Sequence, residues 1–434
     1  MELTLVRKYI ERDAQEAARR RRMLKYFRAQ NDIKKRELSD PSKPNNRVAH
    51  AYARLIATSY AGYLFGRPVT YSSKNEVLKS YVDATFKYND EQAENSELGL
   101  DLAIYGVAVE LLYIDEDSFV RFKRVDPIGC IAVKDDSVEE NLTHLIRYYD
   151  VEDVATGNKE RRVEVLDAEL WCVYRDFGGA FTLIECREHG FRDVPAVVYR
   201  NNSDQMGDFE PVVDLIDAYD LMQSESLNDQ EYFTDAYLKL KGIGEMPDDQ
   251  LAKMKRNRVL LLPDDTDADF LIKPHDGSVE ESIKDRINND IHRFSGCPDM
   301  GDENFSGNTS GVAMKYKLLQ FENIAGVKER EFKRGLQRRF ELLCNVWDTL
   351  GRGWFDWRDV EISFHRTLPE NVLEISQTLS NIGSLLSNET KRSMLPMSID
   401  EDSEKARLAE EQQAGLSLYT IQERLTGDVF GNAE

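Results

Sequence analysis

Apolar and polar positions recur with two different periods along this chain, and the period indicates where helices and strands form. Residues 48–65 carry apolar side chains at helical spacing, interrupted by His50 and Arg54, which predicts a buried amphipathic helix. From residue 107 to residue 199 the period changes to alternation, which is typical of strands. The predicted strands are residues 107–114, 119–125, 128–133, 142–149, 162–166, 170–174, 181–186 and 194–199. Because the links between them are short, we expect an antiparallel meander.

Helical spacing returns after this run of strands. Asp208 is predicted to cap a helix over residues 209–240, with Pro211 in its first turn. The middle of this helix, at residues 223–226 and 228–230, is polar on every face. Such a helix either packs against copies of itself around a wet channel or bridges through solvent.

Further elements are predicted behind this helix. Residues 258–263 and 270–273 favour a small strand pair around an acidic turn, and residues 279–294 favour a second helix. Residues 296–311 contain four glycines and a proline, which predicts a long flexible loop. Loops of this length in compact proteins are usually functional.

A long helix is predicted over residues 312–350, followed by a strand at residues 360–364 and helical segments that reach residue 413. Residues 328–331 and 333–334 alternate in charge and are predicted to lie on its outer side. The stripe predicted to face a core is Phe321, Ala325, Phe332, Leu336, Phe340, Leu343 and Trp347.

The first 38 residues are helical in composition and locally basic, with 12 Lys and Arg against 6 Asp and Glu. They include an unbroken run of four arginines at residues 19–22. This run is either a solvated helix face or an arm that docks or contacts phosphate. Residues 39–46, with Pro41 and Pro44, form a breaker-rich linker that ends the arm.

Composition limits the classes of protein that fit. With 434 residues, 41% of them hydrophobic, the chain can build a substantial core and two or three modules. The net charge of -22 means that the bulk surface repels nucleic acid, so DNA contacts must be local or weak. The five cysteines are odd in number and lack a CxxC pair, which argues against a disulfide framework and favours synthesis in a reducing cytosol. No secretory signal or membrane span is predicted.

The residue types needed for catalysis do not occur in recognisable patterns. The six histidines are far apart, without metal-ligand spacing. Residues 265–276 resemble part of a calcium loop, but Phe270 stands where that loop needs glycine and Pro274 interrupts it. Residues 307–311 read GNTSG, which is not the GxSxG of a nucleophile elbow, and no phosphate-binding loop is present. We therefore predict no enzyme activity, no metal and no cofactor.

Several sequence blocks in a fixed order resemble the portal proteins of tailed double-stranded DNA bacteriophages, of the siphophage type. They are NNRV at 45–48, GYLFGRPVTY at 62–71, AIYG at 103–106, VDP at 125–127, VPAVVYRN at 194–201, FEP at 209–211 with LND at 227–229, and SGVAMKY at 310–316. No single block is diagnostic, but together they span most of the chain.

The resemblance implies an α+β portal fold whose regions can be assigned by position. It implies a wing that contains an antiparallel sheet, long stem helices, a small α/β clip and a helical C-terminal crown. The regions are a basic N-terminal arm (1–44), wing (45–208), stem helix (209–240), clip (241–278), second stem helix (279–295), tunnel loop (296–310), long helix and strand of the wing (311–368) and crown (369–434).

The resemblance also implies a role and a set of site residues. The role is that of a dodecameric ring at one capsid vertex of the virion, assembled in the host cytoplasm, through which double-stranded DNA passes without sequence specificity. The implied partners are the terminase large subunit, a head-completion or adaptor protein, and the major capsid and scaffolding proteins, with no membrane involved. The loop residues expected to face the DNA are Asn304, Phe305, Ser306, Asn308, Thr309 and Ser310.

Three basic residues of the second stem helix leave two interpretations open. Lys284, Arg286 and Arg293 either face the tunnel as moderating charges or form salt bridges between subunits. Two alternative functions also stay open from the sequence. One is a metal-dependent phage DNA-processing enzyme that uses the acidic surplus, and the other is a monomeric morphogenesis adaptor.

Overall fold

The computed structural model of the chain separates it into two compact units, Met1–Thr367 and Leu368–Glu434. The residues that the structure describes are 1–41, 43–152, 154, 157–178, 180–234, 238–241, 267–270, 277–299, 316, 318–366, 377, 380–381 and 407. In the second unit the four described residues are helical. The first unit mixes helices and antiparallel sheets, which confirms the predicted α+β class.

The described part of the chain contains long helices at both ends of a run of strands. The helices are α1 (Leu3–Phe27), α2 (Tyr52–Phe65), α3 (Glu76–Asn89), α4 (Glu91–Tyr105), α5 (Val213–Thr234), α6 (Gly277–Ser295) and α7 (Leu319–Thr349). The strands are β1 (Thr70–Ser73), β2 (Val107–Ile114), β3 (Val120–Val125), β4 (Cys130–Lys134), β5 (Leu142–Glu152), β6 (Lys159–Leu166), β7 (Leu170–Phe177), β8 (Ala180–Glu188), β9 (Ala196–Arg200), β10 (Leu238–Lys241), β11 (Asp267–Phe270) and β12 (Val360–Ser363).

The predicted meander of eight strands is confirmed for five of them, whereas β2, β3 and β9 lie in a second sheet in which β9 pairs with β2. Strands β4 to β8 form a five-stranded sheet in chain order, with every neighbouring pair antiparallel. The turns are tight enough for this order; between β6 and β7, the Asp167 carboxylate accepts the backbone N–H groups of Glu169 and Leu170. A separate sheet places β2 between β3 and β9, and β1 pairs with β12 far along the chain.

The core lies where α7 crosses the three-stranded sheet. All seven residues of the predicted α7 stripe are buried, which confirms that prediction. A Cβ atom at Gly335 would lie 2.1 Å from Cδ1 of Tyr199 on β9, so glycine is required for this close approach. The buried aromatic rings of Phe332 and Tyr199 stack with their centroids 4.8 Å apart.

One charged side chain of α7 is fully buried in this core. The Arg339 guanidinium donates to both carboxylate oxygens of Glu110 on β2, at 2.7 and 2.8 Å, and to Asn95 on α4 at 3.0 Å. It also lies 4.5 Å from the ring centroid of Phe122 on β3. Because a buried charge is tolerated only when it is paired, this contact holds α7, α4 and the sheet in one arrangement.

The hydrophobic pattern did not predict two helices, α3 and α4, that precede β2. Asn75 caps α3, since its Oδ1 accepts the N–H groups of Val77 and Leu78 at 3.1 and 3.2 Å. Gly106 ends α4 with φ of 80°, in the left-handed region that glycine adopts without strain. The Asn cap and the terminal glycine are the local signals that could have located these helices.

The helix predicted over residues 209–240 is shorter than expected. It begins with a 3-10 turn at Glu210–Val212 and ends at Thr234, and Leu238–Lys241 forms strand β10 instead. The sequence LKLK alternates with period two, which favours a strand over a helix. Its partner in the described residues is β11, at 267–270; the predicted strand at 258–263 lies outside the described residues.

The cysteine count argued against a disulfide framework, and it did not predict the one disulfide that the described residues contain. Cys172 on β7 and Cys186 on β8 are directly paired across the five-stranded sheet and are joined by a disulfide. Two neighbouring strands of the meander bring these cysteines together, so the pairing depends on strand register and not on a recognisable spacing in the sequence. Cys130, Cys297 and Cys344 are free and buried, and burial raises the pKa of each thiol, to about 12, 11 and 12.

Candidate functional site

Residues 300–311 of the glycine-rich segment predicted as a functional loop lie outside the described residues, with all six of its candidate residues. Asn304, Phe305, Ser306, Asn308, Thr309 and Ser310 therefore stay predictions. The structure does describe the two places where this segment leaves and rejoins the fold: the end of α6 and the start of α7. The contacts at this junction show how the segment is anchored.

The junction is built around Tyr60 of α2. Its hydroxyl donates to the backbone oxygen of Ser295, at the end of α6, at 3.0 Å. Its ring lies 4.4 Å from that of Phe321, at the start of α7. Gln320 of α7 also donates to the backbone oxygen of Arg293 at 3.1 Å. The two ends of the intervening segment are thus fastened to each other and to α2.

Gly296 stands at the point where the chain leaves α6. Its φ is 68°, and a Cβ atom there would lie 2.4 Å from the Ile324 side chain and 3.1 Å from the Tyr60 hydroxyl. Both the left-handed backbone and the absence of space favour glycine at this position. The exit from α6 is therefore set by backbone geometry as well as by hydrogen bonds.

A buried ion pair joins this junction to the start of α5. The Lys328 ammonium of α7 donates to the Asp208 carboxylate and lies 4.8 Å from the centroid of the Tyr60 ring. Asn201 also donates to Asp208, at 2.8 Å. Burial raises the pKa of Asp208 and lowers the pKa of Lys328, because removal from water disfavours the charged form of each.

Two predictions about these residues were wrong. Asp208 does not cap the following helix; its carboxylate is occupied by Lys328 and Asn201. Lys328 was expected on the outer side of α7, but it is 3% exposed. The spacing of Ala325, Lys328 and Phe332 places the lysine within the apolar stripe, and this spacing was the available signal.

The polar middle of α5 is covered by residues that precede α2. The Ser224 hydroxyl accepts the Val48 N–H at 3.0 Å, and the Asn228 Oδ1 accepts the Asn46 N–H at 2.7 Å. One turn earlier, the buried Asp220 carboxylate accepts from the His50 N–H at 2.8 Å. The polar side chains on one face of α5 therefore find hydrogen-bond partners within the chain. The sequence had suggested only packing against other copies or exposure to solvent.

The arginine run of α1 is used in contacts within the chain. Arg19 donates to both carboxylate oxygens of Glu210, just before α5, at 2.6 and 2.7 Å. The buried Arg20 donates to the backbone oxygens of Pro127 and Cys130. Arg22 pairs with Asp217 of α5. Helix α1 thus contacts both the five-stranded sheet and the start of α5. Arg19 and Arg20 do not belong to a solvated face, whereas Arg22 is exposed and pairs with Asp217 at the surface.

The three basic residues singled out on α6 have different environments. Lys284 is 7% exposed and pairs with Glu280 at 3.1 Å and Glu281 at 3.3 Å on its own helix. Arg286 is exposed. Arg293 is exposed as well, with its guanidinium carbon 6.0 Å from the Phe294 ring centroid. Which of them faces a tunnel or a neighbouring subunit stays a prediction.

Within the described ranges, no group of three or more His, Cys, Asp and Glu side chains is arranged to hold a metal ion. None of the helices in those ranges is long and apolar enough to cross a membrane. The fold provides a pair of charged helices, α5 and α6, that are joined at one end to α2 and α7. In this arrangement α5 and α6 are held in place by contacts with α1, α2 and α7.

Comparison with known proteins identifies the family. The model of the family described as "Phage portal protein, SPP1 Gp6-like" matches residues 6–416, so the chain belongs to this family of phage portal proteins. Portal proteins are structural components of the virion with an oligomeric, capsid-associated role, and they are not enzymes. The resemblance inferred from the sequence blocks is confirmed.

Two curated relatives cover nearly the same span. The chain is 26% identical over 420 residues to the portal protein of Bacillus phage SPP1, across 89% of this chain and 82% of the relative. It is 24% identical over 408 residues to the portal protein of Clostridium phage phiCD119, across 86% of this chain and 88% of the relative.

Proposed function

We propose that the chain is the subunit of a dodecameric ring at one capsid vertex and that double-stranded DNA is packaged and ejected through this ring. The family match over residues 6–416 carries the proposal. The net charge of -22 per subunit supports it, because an acidic wall does not hold a moving duplex tightly. DNA contact without sequence specificity follows from the same argument.

The regions assigned by resemblance are part of this proposal. Residues 45–208 and 311–368 are the wing, 209–240 and 279–295 the stem, 241–278 the clip, 296–310 the tunnel loop and 369–434 the crown. The junction at Tyr60 supports the assignment, because it holds the end of α6, from which the loop leaves, and the turn before α5 against α7. A loop that meets moving DNA needs an anchor of this kind.

The proposed partners bind at different stages of phage assembly. The terminase large subunit supplies the work of packaging, and a head-completion or adaptor protein replaces it after packaging. The major capsid and scaffolding proteins surround the ring during assembly in the host cytoplasm. The chain itself belongs to a family of structural proteins, so the energy for DNA movement comes from the motor.

Electron microscopy of the purified protein tests the ring directly. We expect axial views with twelve-fold symmetry and a central opening, and native mass spectrometry should give the mass of twelve chains. Particles that stay monomeric or dimeric at low and high salt would contradict the ring. Incubation of plasmid DNA with the protein and magnesium or manganese should leave the DNA intact, as expected for a structural protein.

The tunnel loop is tested by substitution within the glycine-rich segment. We expect Phe305→Ala and Asn308→Ala to reduce DNA packaging in vivo while rings assemble normally, because the loop contacts DNA and not a neighbouring wing. Lys79→Ala, on the exposed face of α3, is the control and should package DNA at the wild-type level. Normal packaging by both loop variants would show that the constriction lies elsewhere.

A further inference from the structure

Helix α6 exposes a face that combines apolar and basic side chains. Val279, Ile283 and Phe294 are 57%, 43% and 61% exposed, although each is a large apolar residue. Arg286 and Arg293 are exposed beside them, and neither forms an ion pair with any described residue. The spacing places all five on one side of the helix, which also carries the partly buried Asp290. Apolar side chains bordered by arginine are typical of protein interfaces.

Helix α5 exposes a face of the opposite charge. The helix contains no Lys or Arg. Asp214, Leu221 and Asp229 are exposed, and Glu225 is about half exposed, with Arg36 as its partner. These four residues follow one another by seven, four and four positions, so they share a side of the helix. Leu221, 46% exposed, is the apolar residue of this acidic face.

The two helices run antiparallel, which allows heights along them to be compared. The start of α5 and the end of α6 both lie beside Tyr60. Farther along, the Tyr52 ring lies 5.3 Å from the Tyr219 ring of α5, and the Tyr52 hydroxyl donates to Asn288 of α6 at 2.6 Å. Tyr219 and Asn288 therefore lie at nearly the same height.

Counting residues along each helix from Tyr219 and Asn288 shows that the exposed charges of the two helices lie at similar heights. Asp214 and Arg293 each lie five residues toward the junction, so they are at equal height. Leu221 and Arg286 each lie two residues in the other direction. At about 1.5 Å per residue, Glu225 is only about 6 Å below Arg286, within reach of an arginine side chain.

We propose that the basic and apolar face of α6 binds the acidic face of α5 in a second copy of this chain. The inference rests on the proposed ring. A closed ring repeats one heterologous contact, in which different faces of two identical chains meet. If the helices run along the ring axis, rotation about that axis leaves heights unchanged, so Arg293 meets Asp214 of the partner subunit. Opposite charges at equal height then set the register of the contact.

Charge reversal on α6 tests this contact. We expect Arg286→Glu combined with Arg293→Glu to raise the protein concentration needed for half-maximal ring assembly by about tenfold or more, because two attractions become repulsions. Lys79→Glu with Lys87→Glu, on the exposed face of α3, makes the same change in net charge and should assemble like the wild type. Far-UV circular dichroism of each variant confirms that the subunit is folded.

A charge swap provides the rescue. Arg293→Glu alone should weaken assembly, and adding Asp214→Arg in the same chain should restore it, because every subunit then carries both reversed charges. Assembly of the α6 double variant at the concentration of the α3 control would overturn the inference while leaving the ring intact. Absence of rings from the wild-type protein would instead overturn the proposed function.

Crosslinking tests the geometry without changing the charge pattern of the whole face. A chain with Leu221→Cys and Arg286→Cys, treated with a short bis-maleimide, should give a ladder of covalent multimers, because each subunit links to the next. Either single variant should give no ladder, since the contact joins two different faces. A product confined to single chains would show that residues of the same chain cover the face, and would overturn the inference.

Discussion

The sheet core and the helix pair α5–α6 are stabilised in different ways. In the core, α7 buries an apolar stripe against β2 and β9, and the buried Arg339 guanidinium donates to both carboxylate oxygens of Glu110. In the helix pair, α5 buries Asp220, Ser224 and Asn228 under residues that precede α2 and exposes an acidic side. The core is complete within one chain, whereas the helix pair leaves apolar side chains in solvent.

This difference separates stability from assembly. Apolar burial provides most of the free energy of folding, so substitutions in the core should unfold the subunit. Exposed positions of the helix pair contribute little to folding and should act on contacts between chains. The ion pair of Lys328 and Asp208 lies between the two regions and should affect both.

The strongest test of the core is removal of its buried charge. We expect Arg339→Ala to lower the free energy of unfolding by about 3–5 kcal/mol, because Glu110 is then left buried without its partner. Arg330→Ala, on the exposed side of the same helix, should change it by less than about 0.5 kcal/mol. Urea denaturation measures both, and equal effects would contradict the distinction between core and surface.

Breaking the junction should have the next largest effect. We expect Lys328→Met to lower the free energy of unfolding by about 3 kcal/mol, because Asp208 then stays buried without a counter-charge. Adding Asp208→Asn should recover a large part of this loss, since the amide is neutral and Asn201 can still donate to its oxygen. Failure of the second change to recover stability would show that packing by the lysine stem, not charge, dominates.

The core also predicts a dependence on pH. Burial raises the pKa of Asp101 to about 6, although Arg124 donates to it at 2.7 Å. The folded state therefore holds the proton more tightly than the unfolded chain, and this contribution to stability is lost as pH rises from about 4 to about 6. Between about pH 4 and about pH 6 we expect the free energy of unfolding of the wild type to fall by roughly 2 kcal/mol because of Asp101, and this part of the fall should be absent in Asp101→Asn. The exposed Asp117→Asn should leave the wild-type pH profile unchanged.

The smallest effect is expected on the exposed side of α5. Leu221→Ala should change the free energy of subunit unfolding by less than about 0.5 kcal/mol, measured in the assembly-deficient background of Arg286→Glu and Arg293→Glu. The buried Leu102→Ala should cost about 2–5 kcal/mol in the same background. Comparable losses would mean that Leu221 is buried within one chain.

Local patterns predicted much of the sheet core. The alternation at residues 107–114 matches the bounds of β2, and the short turns predicted the order of the five-stranded sheet. The α7 stripe was predicted because apolar side chains recur at helical spacing. Lys328 and Arg339 interrupt that spacing, and only their partners on distant segments explain why a charge is tolerated there.

The junction could not be predicted from local patterns. Tyr60, Asp208 and Lys328 come from separate parts of the chain, and periodicity within one element does not indicate which elements meet. The same limit applies to Cys172 and Cys186, which are brought together by strand register. The segment at residues 296–311 was distinguished by its glycines, and its functional residues stay predictions.

The turn before α5 has a mechanical consequence. Asp208 is bonded to Lys328 of α7, and Glu210, two residues later, is bonded to Arg19 of α1. A force that pulls on α5 is therefore divided at this turn between two routes. One leads to α7, and the other leads through α1, where Arg20 donates to the backbone oxygens of Pro127 and Cys130. Strain imposed at the far end of the helix pair reaches two distant parts of the subunit simultaneously.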